Sequence, residues 1–395
     1  MKQVFLKYWD LSRELKLLLD ISLRQEPRVP EQMDWEYFDQ LVSQHRIHPL
    51  LIRGLRPFGG ECPQELAKYR PQQNRYMKQS MDRIQALAAI NAAFSDAGIS
   101  MVSMKGPLLA MELYGDPSLR TSRDLDLMVG EADLSRAGEI LTDMGYEPEV
   151  HSYTATPLRQ KFYRLVDHEK HLVYNKGKVC VELHWQSDFQ RKQSFQELWE
   201  RREERQLMGR PIALMGPEDR YPALIIHAAE HGFMRLRWLL DLYELQKKPD
   251  FSWERVYGLM EAQGLGCVLL ETMLVMYRLD LPGLSDVACA QFTLTKNADG
   301  IRLEAKDADR AAQLCDAVFP LLLRSVNPTE PEWKAYDALM PSAVYGKSAL
   351  QWLLTFLGPS EFEYELVDLP DWLFWLYFII RPFNWVRRKL TGGAQ

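Results

Sequence analysis

The sequence predicts an α/β (α+β) core built on a mixed sheet, flanked by an N-terminal helical segment and by a larger C-terminal all-α domain. Apolar residues repeat at helical spacing through residues 1–78, which predicts the N-terminal segment. In residues 79–190, short alternating runs follow amphipathic helices, as expected of strands that pair in one sheet. From residue 191 to residue 395 the helical pattern returns. A chain of this length suffices for two or three domains.

Composition is that of an ordinary globular protein and argues against several functional classes. A net charge of −6 gives no global basic excess, so we expect no extended nucleic-acid binding. The five cysteines form no C-x-x-C pair, which argues against a zinc knuckle or a disulfide framework. The N-terminus lacks the apolar core of a signal peptide, and no apolar run is long enough to span a bilayer. We therefore expect a cytoplasmic protein.

The predicted core begins with a helix at residues 81–97 and a strand at residues 99–104. Lys105-Gly106-Pro107 then turns the chain into a short helix, whose first turn suits Pro107. Gly106 permits close backbone approach, and the N-terminus of the new helix is a natural phosphate site to which Lys105 adds a positive charge. The alternative is a plain strand-to-helix turn with a solvated lysine.

Two aspartates lie on the next predicted strand, within residues 122–129. Asp124 and Asp126 point to one face of that strand, and the apolar residues that alternate with them point to the other. Strand geometry places the two carboxylates about 6–7 Å apart, which is costly unless a cation compensates their charges. One or two Mg²⁺ ions are the usual compensation, because Mg²⁺ takes oxygen ligands and keeps positions open for phosphates. The alternative is an exposed strand edge with two solvated aspartates.

Residues 146–185 look rich in strands, one of them at residues 162–166. The last predicted strand, at residues 178–185, carries Glu182 in an otherwise apolar run, on the face that also carries His184. An acidic residue in such a run is more often a partnered edge residue than a metal ligand. Here two other carboxylates precede it in the same predicted sheet, so Glu182 is a candidate third ligand.

Eight motifs follow one another along the chain: Lys105-Gly106, Leu113-Tyr114, Arg120, residues 124–129, residues 181–185, His227-Ala-Ala-Glu-His231, residues 235–241 and Arg381-Pro382. Together they resemble the uncharacterised nucleotidyltransferase family within the DNA-polymerase-β-like superfamily. The resemblance covers roughly residues 80–390. The superfamily usually carries a Gly-Gly or Gly-Ser pair before its two aspartates. This chain has Lys105-Gly106 instead, a departure that is expected for the branch it resembles.

The resemblance implies a nucleotidyltransferase core in which Asp124 and Asp126 ligate two Mg²⁺ or Mn²⁺ ions. It implies that Glu182 completes the second metal site and helps to activate an acceptor hydroxyl. Two metals roughly 3.5–4 Å apart clamp the attacking and leaving oxygens of an in-line displacement. The implied reaction transfers a nucleotidyl group from an NTP and releases pyrophosphate. Nothing in the sequence selects the NTP base or the acceptor, which could be a small molecule, a peptide or a protein.

Four further residues are candidate contacts to the nucleotide. The resemblance implies that Lys105 and Gly106 hold the β- and γ-phosphates, and that Arg120 neutralises charge on the leaving pyrophosphate. It also supports nucleotide or acceptor contacts from His227, across a cleft between the core and the C-terminal helices.

The segment His227-Ala-Ala-Glu-His231 also matches the H-x-x-E-H spacing of the inverted zincin metalloproteases. On a helix this spacing places both imidazoles on one face, so the first alternative function is a zinc metallohydrolase that uses His227, Glu230 and His231. Arg235 and Arg237 follow at once and are poor neighbours for a zinc cation. Histidines of the core or of a domain interface are the plain alternative. The second alternative function is a non-catalytic nucleotide-binding module, against which the intact carboxylate set argues.

In the C-terminal half, residues 190–205 indicate a charged, solvated helix or connector, and residues 284–305 a loop or a brief hairpin. Residues 372–380 are strongly apolar but too few to span a bilayer, so they predict a buried helix. The alternative is an interfacial anchor, with the basic residues 387–389 at the lipid headgroups.

Overall fold

The computed structural model describes residues 1–23, 28–56, 58, 62–149, 156–166, 171–185, 194–249, 251–323, 330–340, 353–354 and 356–391. The strands within these ranges are β1 (Lys2–Leu6), β2 (Met101–Ser103), β3 (Asp124–Val129), β4 (Glu147–Pro148), β5 (His171–Lys176), β6 (Val179–His184), β7 (Glu203–Leu207), β8 (Arg210–Leu214), β9 (Val287–Ala288), β10 (Phe292–Asn297) and β11 (Gly300–Ala305). The α-helices are α1 (Arg13–Ser22), α2 (Trp35–His45), α3 (His48–Gly54), α4 (Gln64–Ala67), α5 (Gln73–Asp96), α6 (Pro107–Tyr114), α7 (Leu134–Asp143), α8 (Pro157–Val166), α9 (Phe195–Glu200), α10 (Pro217–Glu230), α11 (Leu236–Leu245), α12 (Trp253–Glu261), α13 (Gly266–Arg278), α14 (Ala308–Leu323), α15 (Glu330–Leu339), α16 (Glu361–Leu366) and α17 (Tyr377–Thr391).

A mixed sheet of seven strands lies at the centre of the fold, in the order β4-β5-β6-β3-β2-β8-β7. Its central strand, β3, is parallel to β6 and antiparallel to β2. β2 is in turn parallel to β8, and antiparallel pairs close both edges of the sheet. The predicted mixed sheet is therefore confirmed.

The two faces of this sheet pack against different helices. Leu125 and Leu127 of β3 lie in a buried cluster with Leu87 of α5 and Leu141 of α7. Met128, on the opposite face of β3, belongs to a larger cluster that is built mainly from the N-terminal and C-terminal helices. Because side chains alternate along a strand, the aspartates of β3 point toward this second helical layer.

The first two helices begin where their sequences provide caps. Ser12 Oγ accepts a hydrogen bond from the amide of Leu15 (3.1 Å), and Asp34 Oδ1 accepts one from the amide of Tyr37 (2.9 Å). Such caps satisfy amides that the first helical turn leaves without an intrahelical partner. Helices α1 and α2 therefore begin at residues whose side chains cap them.

Strands occur in both segments that the sequence predicts to be helical. β1 pairs with β11 in a second, antiparallel sheet of order β1-β11-β10-β9. β7 and β8 join the edge of the central sheet. The prediction of an all-α C-terminal domain is therefore wrong, although helices dominate there. The hairpin of β10 and β11 lies where a brief hairpin is expected.

Residues 162–166 belong to helix α8 and not to the predicted strand. Phe162 packs edge to face against Phe374 and Phe378, with ring centroids 5.2 and 5.5 Å apart. Both partners lie near the far end of the chain, so the local sequence does not predict these contacts.

The predicted domain boundaries stay predictions. The boundary after residue 190 lies outside the described residues, and that between residues 78 and 79 falls inside the continuous helix α5.

The apolar run at residues 372–380 is not the buried helix that the sequence predicts. It forms a 3₁₀ helix at Asp371–Leu376 and the first turn of α17. Trp372 and Trp375 are exposed, and Tyr377 is buried. Among the described residues, no helix is both long enough and apolar enough to cross a membrane.

Candidate active site

Two neighbouring parallel strands bring three carboxylates to one face of the central sheet. β3 carries Asp124 and Asp126, and β6 carries Glu182. Asp126 is in register with Glu182, and Asp124 with Cys180. Residues in register point to the same face, so the three carboxylates point away from the cluster that α5 and α7 form. Asp126 is only 4% exposed, and its carboxylate is therefore largely desolvated.

Lys105 approaches these carboxylates from the turn that follows β2. The amide of Met104 donates a hydrogen bond to the carbonyl of Asp126 (3.0 Å), which holds the turn against β3. Lys105 Nζ lies 3.6 Å from Asp126 Oδ1, and the lysine side chain is mostly buried. The lysine is therefore not the solvated residue of the plain alternative.

Gly106 ends this turn and begins helix α6 in a backbone conformation that favours glycine, with φ 80° and ψ −147°. A Cβ at this position would lie 3.7 Å from the carbonyl oxygen of Asp124, which is an ordinary contact. The requirement for glycine is therefore set by the backbone angle and not by crowding. Ser122 Oγ donates to the same carbonyl at 2.7 Å, which fixes the start of β3 beside the turn.

His184 lies between two of the carboxylates and was not among the candidates from the sequence. Its Nε2 is 3.4 Å from Glu182 Oε2 and 3.6 Å from Asp126 Oδ1. The alternation of β6 gives the signal that could have found it, because Glu182 and His184 share a face. His171 of β5 is in register with His184, and the two ring centroids are 4.8 Å apart.

Asp124 and Asp126 have opposite pKa shifts. Burial raises the pKa of Asp124, and the neighbouring charges of Asp126 and Glu182 raise it further. Burial also opposes ionisation of Asp126, but the nearby Lys105 and His184 outweigh it and hold the pKa of Asp126 well below its ordinary range. Asp126 is therefore an anion. The repulsion felt by Asp124 is what a bound divalent cation would relieve.

This donor set fits a divalent cation of the Mg²⁺ or Mn²⁺ type. Three carboxylates on one sheet face offer the hard oxygen ligands that these ions prefer. The observation in favour of this fit is that Asp126 is in register with Glu182 while Asp124 shares its face of β3.

Helix α10 brings His227 to the same turn. His227 Nδ1 lies 3.4 Å from Lys105 Nζ. His231 directly follows the last residue of α10 and stacks on Trp238, with ring centroids 5.2 Å apart. The rings of His227 and His231 are 4.9 Å apart, but a lysine ammonium already stands beside His227. A cation in that position disfavours zinc.

In the part of the chain that the structure describes, the one cluster with metal-ligand spacing is His171, Glu182 and His184. Neither the predicted zinc triad on helix α10 nor the set Asp124, Asp126 and Glu182 forms such a cluster. This spacing gives the zinc metallohydrolase no support.

Arg120 forms a buried ion pair with Asp241. Arg120 Nε donates to Asp241 Oδ2 at 2.8 Å, and the two side chains are 4% and 1% exposed. The hydroxyl of Tyr114 donates to the other oxygen of Asp241, also at 2.8 Å. The group connects α6 and the segment before β3 with helix α11.

The chain matches the family described as an uncharacterised nucleotidyltransferase over residues 31–279. No curated protein matches it.

Solved structures with some similarity include the solution structure of the antibiotic-resistance factor ANT(2'')-Ia, with 13% identity, a TM-score of 0.35, and coverage of 46% of this chain and 91% of that chain. A crystal structure of ANT(2'')-Ia in complex with adenylyl-2''-tobramycin has 13% identity and a TM-score of 0.33, covering 46% of this chain and 96% of that chain. An antigenic nucleotidyltransferase-like protein from Paracoccidioides brasiliensis has 16% identity and a TM-score of 0.30, covering 47% of this chain and 91% of that chain.

These TM-scores are too low to establish a shared fold. The family assignment is therefore based on the match to the family. That match spans more than half of the chain and includes the turn at Lys105, both aspartates of β3, Glu182 and His227. The mixed sheet and its helices form a nucleotidyltransferase-like fold, and the chain belongs to the uncharacterised nucleotidyltransferase family.

Proposed function

We propose that the protein transfers a nucleotidyl group from an NTP to an acceptor hydroxyl and releases pyrophosphate, with Mg²⁺ or Mn²⁺ as the metal. The observation that carries the proposal is the convergence of Asp124, Asp126 and Glu182 on one face of the sheet, beside Lys105. Membership of a nucleotidyltransferase family supports the same reaction class.

In the proposed reaction, the acceptor oxygen attacks the α-phosphorus and forms a new P–O bond. The bond from that phosphorus to the oxygen bridging the α- and β-phosphates breaks, and its electron pair leaves with pyrophosphate. Glu182 takes the proton of the acceptor hydroxyl. Asp124, Asp126 and Glu182 would hold the metal ions, which supply Lewis-acid charge to the attacking and leaving oxygens when bound. The protein's own contribution is positioning and charge compensation.

Lys105 and the N-terminus of α6 are the proposed site of the β- and γ-phosphates. Gly106 opens this helix, whose first amides lack intrahelical partners, and Lys105 adds a point charge at its entrance. We propose that His227 contacts the nucleotide or the acceptor from the opposite wall, because its ring already reaches Lys105.

For Arg120 we propose a positioning role. The resemblance suggests that it contacts the leaving pyrophosphate, but its Nε is engaged by a buried carboxylate. Removing one partner of a buried ion pair leaves an uncompensated charge, which typically costs about 3–5 kcal/mol. Arg120 therefore serves the reaction by fixing the segment that leads into β3.

The test incubates the purified protein with each α-labelled NTP, Mn²⁺ or Mg²⁺ and a metabolite extract, and then measures pyrophosphate release and the mass of any product. We expect metal-dependent release in wild type and none above background in Asp126→Asn. Asp143→Asn, an exposed aspartate on α7, is the matched control and should behave as wild type. Full activity in Asp126→Asn would refute the metal assignment. NTP binding without pyrophosphate release would favour the non-catalytic module.

A further inference from the structure

His171, Glu182 and His184 form a group of metal-ligating side chains beside the two aspartates. β5 and β6 are antiparallel neighbours that place His171 in register with His184. One ligand atom from each of the three residues lies within 4.8 Å of the other two. Two imidazoles and one carboxylate are a different donor set from the all-oxygen set of the proposed nucleotidyl-transfer site.

The separation of His184 and Glu182 matches that of two ligands in a tetrahedral metal centre. With metal–ligand bonds of about 2.0–2.1 Å, two ligand atoms of a tetrahedron lie about 3.3–3.4 Å apart. His184 Nε2 lies 3.4 Å from Glu182 Oε2. The ligand atom of His171 lies within 4.8 Å of both.

The local charge also favours a cation. Asp126 and Glu182 outweigh the ammonium of Lys105, and Asp124 lies on the same strand face as Asp126. Imidazole ligands favour Zn²⁺ and other transition metals, whereas Mg²⁺ is bound by oxygen ligands.

We propose that His171, Glu182 and His184 hold a transition metal ion, with Zn²⁺ the best fit, in a site that shares Glu182 with the nucleotidyl-transfer carboxylates. The inference rests on the proposed function only through this shared residue. In this proposal the zinc ion lies next to β5, and the Mg²⁺ or Mn²⁺ ion lies between Asp124 and Asp126.

The test measures zinc in metal-free protein that has been incubated with equimolar Zn²⁺ and dialysed. We expect about one zinc per chain in wild type, a zinc affinity lower by at least about tenfold in His171→Ala, and unchanged zinc in His231→Ala. The last variant is the matched control, because it removes a histidine of the other candidate zinc group. Zinc should also raise the Tm of wild type and not that of His171→Ala. A cooperative melting transition in the same scan shows that the variant is folded.

Wild type without bound zinc, or zinc retained in His171→Ala and lost in His231→Ala, would overturn the inference. The outcome is separable from that of the proposed function. Mg²⁺-dependent transfer by a protein that binds no zinc would refute only the zinc site, and zinc binding without transfer would refute only the nucleotidyl transfer.

A second inference concerns the C-terminal segment, where apolar side chains point outward. Five exposed apolar residues follow one another at spacings of three or four through the 3₁₀ helix and α17: Trp372, Trp375, Ile379, Phe383 and Val386. Trp372 and Phe383 are 76% and 73% exposed. We call this set the outer stripe. Such spacing aligns the five residues along one side of a helix.

The opposite side of α17 is polar and already engaged. Arg381 Nη1 donates to Glu363 Oε2 at 2.9 Å, and Asn384 Nδ2 donates to Glu363 Oε1 at 2.6 Å. Tyr377 is buried, and its hydroxyl lies 2.9 Å from Arg159 Nη2 of α8. These buried polar contacts fix the rotation of α17, so its apolar side faces outward as a consequence of the fold.

The charge of the segment selects among possible partners. Residues 387–389 are all basic, in a chain of net charge −6, whereas the charge of Arg381 is already compensated by Glu363. A second copy would oppose the same positive charge across a twofold contact, and like charges repel. Tryptophan at the boundary of the acyl chains with arginine and lysine at the headgroups is typical of helices that lie in a membrane surface.

We propose that the outer stripe docks on a bilayer surface rich in anionic lipid, with α17 lying in the plane of the interface. The test is co-sedimentation of the full chain with vesicles of phosphatidylglycerol and phosphatidylcholine, compared with vesicles of phosphatidylcholine alone. We expect binding to the anionic vesicles, reduced at least about tenfold in Trp372→Ser/Phe383→Ser because the two most exposed apolar side chains of the outer stripe are lost. Met208→Ser, an exposed apolar residue elsewhere, is the matched control and should bind as wild type.

Equal sedimentation of wild type with and without vesicles would overturn the proposal. So would a stable dimer in solution that Trp372→Ser/Phe383→Ser converts to a monomer, because a second copy would then be what covers the stripe.

Discussion

Glu271 occupies a buried position in helix α13, and burial favours the neutral form of its carboxyl group. The side chain is 0% exposed. The hydroxyl of Tyr336 lies 3.0 Å from Glu271 Oε1 and 2.9 Å from the carbonyl oxygen of Ala229, and it has one proton to donate to these two acceptors. The hydrogen bond that Tyr336 donates to Glu271 favours the anion, but burial has the larger effect.

Burial raises the pKa of Glu271 from its ordinary value of 4.5 to about 8. The folded protein therefore holds this proton more tightly than the unfolded chain does. The contribution of this proton to the free energy of unfolding is fully present below about pH 4.5 and is lost as the pH rises toward about 8. One pKa unit corresponds to about 1.4 kcal/mol. The free energy of unfolding therefore falls by roughly 3–5 kcal/mol between these two pH values.

The perturbation that tests this is Glu271→Gln, whose amide oxygen can still accept the hydrogen bond from Tyr336 but does not titrate. We expect the variant and wild type to have similar free energies of unfolding near pH 5, and the variant to be more stable by roughly 3–5 kcal/mol near pH 8.5. Urea unfolding followed by tryptophan fluorescence at a series of pH values measures the difference. Glu139→Gln, at an exposed position of α7, should give a difference that does not change with pH.

A constant difference between Glu271→Gln and wild type from pH 5 to pH 8.5 would refute the assignment of a neutral acid. The result bears on the candidate site, because Ala229 lies on α10. The buried contact thus holds the end of the helix that carries His227.

Three further predictions concern the site itself. Asp124→Asn should abolish metal-dependent pyrophosphate release, while the Tm of the metal-free protein stays equal or rises, because the acidic neighbours of Asp124 no longer repel a charge there; a lower Tm in calorimetry would contradict this. Gly106→Ala should cost about 1–3 kcal/mol of stability, because its φ of 80° and ψ of −147° lie close to a region that is nearly restricted to glycine, and Gly98→Ala about 1–2 kcal/mol, because its φ is positive; only Gly106→Ala should also weaken NTP binding in calorimetry. His227→Ala should raise the KM for the NTP or the acceptor, while Glu230→Gln should change steady-state kinetics little; the reverse ranking would favour chemistry on helix α10.

The parts of the site that the sequence predicts are those that local rules determine. Alternation along β3 and β6 places Asp124, Asp126 and Glu182 on matching faces, and the structure puts those strands in register. The Lys105-Gly106 turn follows from glycine's access to positive φ and from the proline behind it. The catalytic roles of these residues remain predictions.

The errors come from strands that pair at long range. The sequence of β7, Glu-Glu-Arg-Gln-Leu, is charged and resembles a solvated helix, yet it forms an edge strand, where charged side chains are tolerated. β1 pairs with a strand about three hundred residues later in the chain. In both cases the partner strand decides the conformation, and local propensity does not reveal the partner.

The role of Arg120 also depends on a distant partner that the local sequence does not reveal. An arginine shortly before two aspartates is a reasonable phosphate ligand, and nothing within ten residues of it suggests otherwise. Its partner Asp241 lies 121 residues later, in a helix whose own Arg237 instead bonds to the carbonyl of Thr121. Two charges buried this deeply persist only as a pair. The pair therefore ties the segment before β3 to α11, and the adjacent helix α10 brings His227 to Lys105. The two walls of the candidate site are thus joined by a buried ion pair as well as by apolar packing.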